Sequence, residues 1–171
     1  MKVLVTGGAG FIGSHLGEAL ARKGASVIVL DDLSGGAEEN LRWAGGGDPV
    51  RLVKGDVCDA AIVRDAVAGC DWVFHEAALT SVPQSVAEPL RSNAINLQAT
   101  LQILEAARHA GVKRFLFASS AAVYGASEEL PKRETLAVAP VSPYGLQKYA
   151  ASFHLKLRLR SRKEKSCPHS I

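Results

Sequence analysis

Lys2-Val-Leu-Val-Thr-Gly-Gly-Ala-Gly-Phe-Ile-Gly13 decides the fold of this 171-residue chain. A short apolar stretch runs into three separated glycines, Gly7, Gly10 and Gly13, and apolar residues with helical spacing follow. Glycines so placed allow a tight turn, let backbone approach a pyrophosphate, and let a helix pack closely on the strand. The first turn of that helix would face an anion with unpaired N–H groups and its positive dipole end. The stretch therefore predicts a strand, a phosphate-binding turn and a helix.

Four further apolar stretches have the length and composition of buried strands. They are Ser26–Leu30, Arg51–Lys54, Trp72–His75 and Arg114–Ala118. Helical patterns separate them, one introduced by Asp59 as N-cap and one running from about Glu88 to Ala110, and no hairpin signal intervenes. This alternation predicts an α/β fold, a doubly wound parallel sheet covered by helices on both faces.

Right-handed crossovers bring the carboxyl ends of parallel strands to one edge of the sheet, where ligands bind in such folds. The residues at these ends are polar or small. They are Gly7, Asp31, Asp56, Ala77 and Ser119. We therefore expect the functional site along this edge.

The composition, 47% hydrophobic and 22% charged, is that of a single globular domain. No apolar stretch reaches the ~18 residues that span a bilayer, and no signal peptide is recognisable, so we expect a cytoplasmic protein without a membrane partner. Three cysteines, Cys58, Cys70 and Cys167, fit neither a C-x-x-C pair nor a zinc spacing. We expect free thiols and no metal site.

The positive net charge is concentrated at the end of the chain. Residues 1–150 carry 14 Lys/Arg and 16 Asp/Glu, whereas residues 151–171 carry six Lys/Arg and one Glu. A nucleic-acid interface would rest on this tail, in which Phe153 is the only aromatic residue able to stack on a base. We therefore expect no nucleic-acid partner; salt-sensitive binding lost on deleting residues 155–171 would indicate one.

Asp31 indicates the identity of the ligand at the glycine turn. It closes the second strand 18 residues after Gly13, close to the ~20 residues at which an acidic side chain accepts hydrogen bonds from the adenosine ribose. A carboxylate there repels a 2′-phosphate, which favours NAD over NADP as cofactor. Asp56 ends the third strand near the expected adenine edge, although an ordinary turn explains it nearly as well.

Tyr144 and Lys148 are four residues apart on a helix predicted to begin with Ser142 as N-cap and Pro143 at its first position. The spacing places both side chains on one helix face. An ammonium beside a tyrosine phenol favours the phenolate, which is a base. Ser120, at the end of the fifth strand, could hold a substrate oxygen between them, or could bond local backbone.

Together these residues resemble the extended short-chain dehydrogenase/reductases, specifically the NAD-dependent nucleotide-sugar epimerase/dehydratase family, over about residues 1–150. The glycine turn is similar to the family's dinucleotide loop of the NAD(P)-binding Rossmann fold. Ser119–Gly125 and Ser142–Lys148 resemble its two catalytic motifs. The resemblance implies catalytic roles for Ser120, Tyr144 and Lys148.

The resemblance also implies a set of cofactor contacts along the strand ends. They are Gly7, Gly10, Phe11, Ile12, Gly13, Asp31, Asp32, Ser34, Gly35, Asp56, Val57, Ala77, Ala78, Asn96, Tyr144 and Lys148. Ala77 and Ala78 correspond to the segment that passes under the nicotinamide, and Asn96 to the family's cofactor-side asparagine.

Two residues after Ser120 distinguish chemistries within the family. The 4,6-dehydratases carry an Asp-Glu pair there and the related decarboxylases a Glu, whereas this chain has Ala121 and Ala122. Both reactions lack their acid. The remaining resemblance is to a UDP-glucose/UDP-galactose 4-epimerase, which oxidises C4 of the sugar transiently.

The resemblance ends soon after Ala151. From Phe153 to Arg160 apolar residues alternate with basic ones or His154, a period of two that is typical of a strand, and Ser161–Ile171 has no apolar face. We therefore divide the chain into an NAD-binding domain at 1–150 and the end of the catalytic helix with a basic, irregular tail at 151–171. We expect a C-terminally truncated or frameshifted member that lacks the family's substrate domain.

Loss of the substrate domain would weaken the grip on a UDP-sugar, so turnover should be weak or absent although NAD still binds. The alternative is a non-catalytic NAD-binding module that self-associates, as a homodimer, through the exposed sheet edge or helices.

Overall fold

A five-stranded parallel sheet lies at the centre of the chain. The computed structural model describes residues 1–44 and 49–165, the last nine of them as backbone only. The strands are β1 (Lys2–Thr6), β2 (Ser26–Asp31), β3 (Val50–Lys54), β4 (Trp72–His75) and β5 (Arg114–Phe117). They are ordered β3-β2-β1-β4-β5. Strands β2 and β3 are therefore added on one side of β1, and strands β4 and β5 on its other side. This is the strand order of the doubly wound fold, and the predicted fold class is confirmed.

In the described ranges, six α-helices connect and cover the strands. They are α1 (Phe11–Arg22), α2 (Ala60–Val67), α3 (Val82–Ala87), α4 (Pro89–Asn93), α5 (Ala99–His109) and α6 (Pro143–Lys165). Two short 3-10 turns occur at Glu38–Leu41 and Ala121–Tyr124, and a π-helical turn at Ala94–Gln98 joins α4 to α5. Asp59 caps α2 by accepting hydrogen bonds from two backbone N–H groups, and Ser142 accepts one from Gly145 in the first turn of α6, as predicted.

The core fills both faces of the sheet. In β1, Val3 and Val5 belong to the cluster that packs against α1, whereas Leu4 belongs to the cluster that packs against α2 and α5. All three side chains are fully buried. Burial on both faces explains why β1 and β2 are continuous apolar stretches and do not alternate.

The helix predicted from about Glu88 to Ala110 is confirmed, because α4, the π-helical turn and α5 form one continuous helical stretch over residues 89–109. Glu88 has non-helical dihedral angles (φ −126°, ψ 61°), separating α3 from α4, because the ring of Pro89 disfavours a helical residue before it. Within this stretch Ala94–Gln98 are π-helical, and the residues on both sides, Asn93 and Ala99, have helical dihedral angles, so the turn widens the helix without ending it. The apolar spacing predicted the helix but not the π-helical turn within it.

The alternating residues after Ala151 do not form a strand. The structure continues α6 to Lys165, so the expected irregular stretch is helical up to that residue. Leucine, lysine and arginine are all good helix formers, and a strand would need a neighbouring strand to pair with. None of the described helices combines the length and apolar composition needed to cross a bilayer. Residues 166–171 lie outside the described part, and the boundary at residue 150 stays a prediction.

Cys58 and Cys70 are free, as expected, with Cys58 exposed and Cys70 buried. Although the residue is exposed, partial burial of its sulfur raises the pKa of the Cys58 thiol to about 11, and the neighbouring Asp56 carboxylate acts in the same direction. Cys167 lies outside the described residues.

Candidate functional site

The glycine turn joins β1 to α1 at the carboxyl edge of the sheet. Gly7 has a positive φ of 66°, and a Cβ there would lie 2.7 Å from the Ala77 backbone nitrogen. A Cβ at Gly13 would lie 2.2 Å from the Gly7 carbonyl oxygen. Among the side chains that the structure describes, none caps the start of α1, where Phe11 and Ile12 are exposed. The turn is therefore a tight cradle whose first helical N–H groups have no intrahelical partner.

The peptide groups of Ala9 fix the orientation of this turn. The Ala9 N–H donates to Oδ2 of Asp31 at 2.9 Å. Its carbonyl oxygen accepts from the Ala37 N–H at 3.1 Å and from Nδ2 of Asn40 at 2.7 Å. Gly36 makes this approach possible, because a Cβ there would lie 2.6 Å from the Ala9 carbonyl carbon. The turn is thus held from outside, by the segment after β2.

Asp31 ends β2 and is buried, with a relative exposure of 7%. Its Oδ1 accepts the Leu33 N–H at 2.9 Å, so each carboxylate oxygen already has one backbone donor and retains a lone pair for a ligand hydroxyl. The next residue, Asp32, accepts the N–H and the hydroxyl of Ser34 in a local turn. Gly35 has open space where a Cβ would lie.

Asp56 follows β3 and is exposed. Its Oδ1 accepts the Cys58 N–H at 2.8 Å, which closes an Asx turn. The neighbouring Val57 is buried, and its carbonyl oxygen accepts from Nε2 of Gln102 at 3.3 Å. The Asx turn alone accounts for Asp56. Its position at the strand end also fits a contact with adenine, so the ordinary turn and the adenine contact both stay as interpretations.

Ala77 and Ala78 are half-buried and lead from β4 towards Leu79. Asn96, in the π-helical turn, pairs with both backbone groups of Leu79: its Oδ1 accepts the N–H at 2.9 Å, and its Nδ2 donates to the carbonyl at 3.0 Å. The Asn96 side chain is buried and hydrogen-bonded to protein groups. In this structure its amide holds the loop that carries Ala77 and Ala78.

His75, the last residue of β4, is fully buried in a directed chain of hydrogen bonds. The Thr100 hydroxyl donates to the Asn96 carbonyl, so it accepts from His75, and the imidazole proton lies on Nε2. Nδ1 then accepts from the Thr6 hydroxyl at 2.6 Å, and Thr6 accepts the Ala77 N–H at 3.3 Å. The neutral ring links the end of β1, the loop after β4 and the π-helical turn.

Burial lowers the pKa of His75 to about 3, with a further contribution from the Lys148 ammonium. Below pH 6.5 the unfolded chain therefore binds a proton that the folded chain excludes, and stability falls as the pH drops towards 3. We expect this group to contribute a loss of up to about 1.4 kcal/mol per pH unit in that window. Urea unfolding of the wild type and His75→Gln at several pH values between 4.5 and 7.5 measures it.

The expected result is a shallower pH dependence in His75→Gln than in the wild type, whatever the change in absolute stability. His154→Gln removes an exposed imidazole and is the control. Equal slopes for the wild type and His75→Gln would contradict the assignment of a buried neutral ring.

Ser120 follows the end of β5 and caps the 3-10 turn Ala121–Tyr124. Its hydroxyl oxygen accepts the Ala122 N–H at 3.2 Å, while its own proton remains available to a ligand. A Cβ at Gly145 would lie 2.6 Å from the Ala122 carbonyl oxygen, so α6 approaches this turn closely. Ser120 and the first turn of α6 therefore belong to contacting elements.

Tyr144 and Lys148 are both buried on α6. The Tyr144 N–H donates to the Ser85 hydroxyl of α3 at 3.2 Å. Nζ of Lys148 donates to the Ala118 carbonyl at 2.9 Å and lies 4.6 Å from the centre of the Phe117 ring. Burial lowers the pKa of Lys148 to about 8, partly opposed by Glu76, whose own pKa burial raises.

The sequence profile of the NAD dependent epimerase/dehydratase family matches residues 3–158. The chain belongs to this family. The resemblance stated from the motifs is thus confirmed, as is NAD as the cofactor on which the family depends.

The chain is similar to UDP-sugar epimerases of about twice its length. It is 40% identical to the UDP-glucose 4-epimerase of Mycolicibacterium smegmatis, over 99% of this chain and 54% of the relative. The structure of the Thermus thermophilus UDP-glucose 4-epimerase with NAD is 39% identical with a TM-score of 0.84, over 94% of this chain and 51% of that one. A Methanobrevibacter ruminantium UDP-N-acetylglucosamine 4-epimerase is 42% identical, with the same TM-score, over 91% and 49%. The chain spans about half the length of the curated relatives it matches.

The residues at the sheet edge fit NAD. The uncapped start of α1 and the glycine cradle suit a pyrophosphate, and Asp31 retains acceptor capacity for ribose hydroxyls. The Gly7 cradle touches Ala77, which brings the expected pyrophosphate and nicotinamide segments together. The individual contacts remain predictions.

Several residues that build the site were not selected from the sequence. Asn40 and Gly36 hold the glycine turn, Ser85 holds the backbone of Tyr144, and Glu76 faces Lys148 electrostatically. Glu76 directly precedes Ala77 and Ala78, which the resemblance assigned to the nicotinamide segment, so its position carried a signal. Asn40 and Ser85 carried none, because their partners lie 31 and 59 residues away.

Proposed function

We propose that this chain is the cofactor-binding and catalytic part of an NAD-dependent UDP-glucose/UDP-galactose 4-epimerase. The observation that carries the proposal is the placement of Tyr144 and Lys148 on one buried face of α6, with Lys148 bonded to the end of β5. Identity of about 40% to UDP-glucose 4-epimerases supports the sugar-nucleotide class. Ala121 and Ala122, which replace the acids of the dehydratases, favour epimerisation.

Each catalytic side chain has a defined part in the proposed reaction. Tyr144 would take the proton of the sugar 4-hydroxyl and later return it. Of the three protons on the Lys148 ammonium, one is bonded to Ala118, which leaves two for ligand oxygens. The Ser120 hydroxyl would donate to the reacting oxygen while its own oxygen stays held by Ala122. Bound NAD would supply the hydride acceptor and donor.

The test uses the purified 171-residue chain. NAD affinity is measured by calorimetry, and conversion of UDP-galactose to UDP-glucose is followed by chromatography with NAD present. We expect binding of NAD but turnover far below the ~10 per second of an ordinary enzyme. A nucleotide sugar is positioned largely by contacts remote from the reacting carbon, and this chain spans only about half the length of its relatives. Absence of NAD binding would contradict the proposal, and turnover near ~10 per second would contradict the expected weakness.

One observation favours a second candidate, a non-catalytic NAD-binding module that self-associates. Leu146, Tyr149 and Phe153 form an exposed apolar stripe on α6, with relative exposures of 56%, 37% and 50%. Their spacing of three and four residues is that of a helix seam, which a second copy of the chain could cover across a two-fold axis. Sedimentation equilibrium measures this association directly. The two candidates differ in whether the chain has a catalytic activity that depends on Tyr144.

A further inference from the structure

A buried hydrogen-bond cluster includes the residue that precedes Lys148 in the sequence, and it supplies neither the acid nor the base of the proposed reaction. Its members are Gln147 on α6, Ser92 at the end of α4, and Asn96 in the π-helical turn, with relative exposures of 5%, 0% and 1%. Oε1 of Gln147 accepts from the Ser92 hydroxyl at 2.7 Å and from Nδ2 of Asn96 at 3.0 Å. Two donors facing one atom fix the orientation of the Gln147 amide.

The cluster reaches the loop under the expected nicotinamide position. Asn96 binds both backbone groups of Leu79, as a neighbouring strand would, and its Nδ2 also faces Ser92 at 3.2 Å. Gln147 is therefore connected to Leu79 through a single buried side chain. Since the Asn96 carbonyl accepts the Thr100 hydroxyl, the same residue also joins the hydrogen-bond chain of His75.

A glutamine at this position needs an explanation. A leucine or methionine of similar size would gain burial energy without desolvating an amide. Buried polar groups with all partners in place rigidify one arrangement more than they add stability. Gln147 directly precedes Lys148, whose Nζ donates to the Ala118 carbonyl just after β5.

We propose that Gln147 is a positioning residue that sets α6 against the Ala77–Leu79 loop, and so aligns Lys148 with the cofactor segment. The proposal deepens the proposed function and rests on it for the NAD site. Gln147 acts only through Asn96 and Ser92. It touches no reacting atom.

The first experiment measures hydrogen exchange of the Leu79 amide in the chain without cofactor. In Gln147→Met the acceptor for Ser92 and Asn96 is lost, and we expect the Leu79 amide to exchange about tenfold faster. Gln147→Glu keeps an acceptor oxygen and should restore protection. Gln84→Met, which removes a half-buried glutamine whose amide donates to Glu88 outside the cluster, is the matched control. Unchanged Leu79 exchange in Gln147→Met overturns the proposal, whether or not NAD binds.

The second experiment measures NAD affinity of the same variants. We expect Gln147→Met to bind about tenfold more weakly, with Gln147→Glu and Gln84→Met close to the wild type. A merely structural residue would lower the midpoint of thermal unfolding without rescue by glutamate, and that result overturns the proposal. Failure of the wild type to bind NAD would contradict the proposed function, while Leu79 exchange still decides the role of Gln147.

Discussion

Gly13→Ala is expected to abolish measurable NAD binding. The added Cβ would lie 2.2 Å from the Gly7 carbonyl oxygen and 2.7 Å from the Gly8 Cα, and both are backbone atoms of the turn itself. Relief therefore requires the turn to open, which displaces the N–H groups at the start of α1 from the pyrophosphate. We expect NAD affinity to fall by about 100-fold or more, equivalent to about 2.7 kcal/mol, measured by calorimetry.

Gly17→Ala is the matched control, because it adds the same methyl group one turn later on α1. Its nearest neighbour would be a ring carbon of Trp43 at 3.2 Å, a side chain that can shift. We expect NAD affinity within about twofold of the wild type for this variant. Equal binding by Gly13→Ala and the wild type would show that the cofactor does not occupy the glycine turn. Circular dichroism of both variants verifies folding.

Tyr144→Phe should lower the rate of any conversion of UDP-galactose to UDP-glucose by about 1,000-fold or more, which is within the range of general acid–base contributions. The hydroxyl group is the only part deleted, and the backbone hydrogen bond from Tyr144 to Ser85 is retained. NAD affinity and sedimentation behaviour should stay nearly unchanged. Chromatography of the sugar nucleotides over long incubations measures the residual rate.

Tyr149→Phe makes the same change one turn further along α6 on an exposed ring, and activity should be retained. Activity that survives Tyr144→Phe would exclude Tyr144 as the base. If the wild type binds NAD, self-associates and shows no conversion that depends on Tyr144, the non-catalytic module becomes the better description.

The strands and the glycine turn could be predicted because their causes are local. Continuous apolar stretches such as Val27–Leu30 indicate strands that are buried on both faces. Glycines at fixed spacing indicate a turn whose backbone leaves no room for side chains. Asp59 and Ser142 were predictable as caps for the same reason, since their acceptors and donors lie within three residues. The placement of Asp31 at the end of β2 followed from strand length alone.

The interior of the site could not be predicted in this way, because its contacts join distant segments. Asn96 was chosen by resemblance, but its pairing with Leu79 depends on a π-helical turn that no periodicity revealed. Gln147 and Ser92 meet only after α4 and α6 pack together, 55 residues apart. The strand-like alternation after Ala151 was misleading. The leucines, lysines and arginines that alternate there are good helix formers, and they continue the helix that begins at Pro143.

The two backbone donors on Asp31 limit how the cofactor preference of this fold could be redesigned. Exchanging that carboxylate for a small or basic side chain would admit a 2′-phosphate, but it would also release the Ala9 and Leu33 N–H groups. A variant for NADP therefore has to supply new acceptors for both amides, for example from a redesigned segment around Asn40. In the proposed NAD site, one side chain sets both the choice of cofactor and the shape of the glycine turn, so the two properties would have to evolve together.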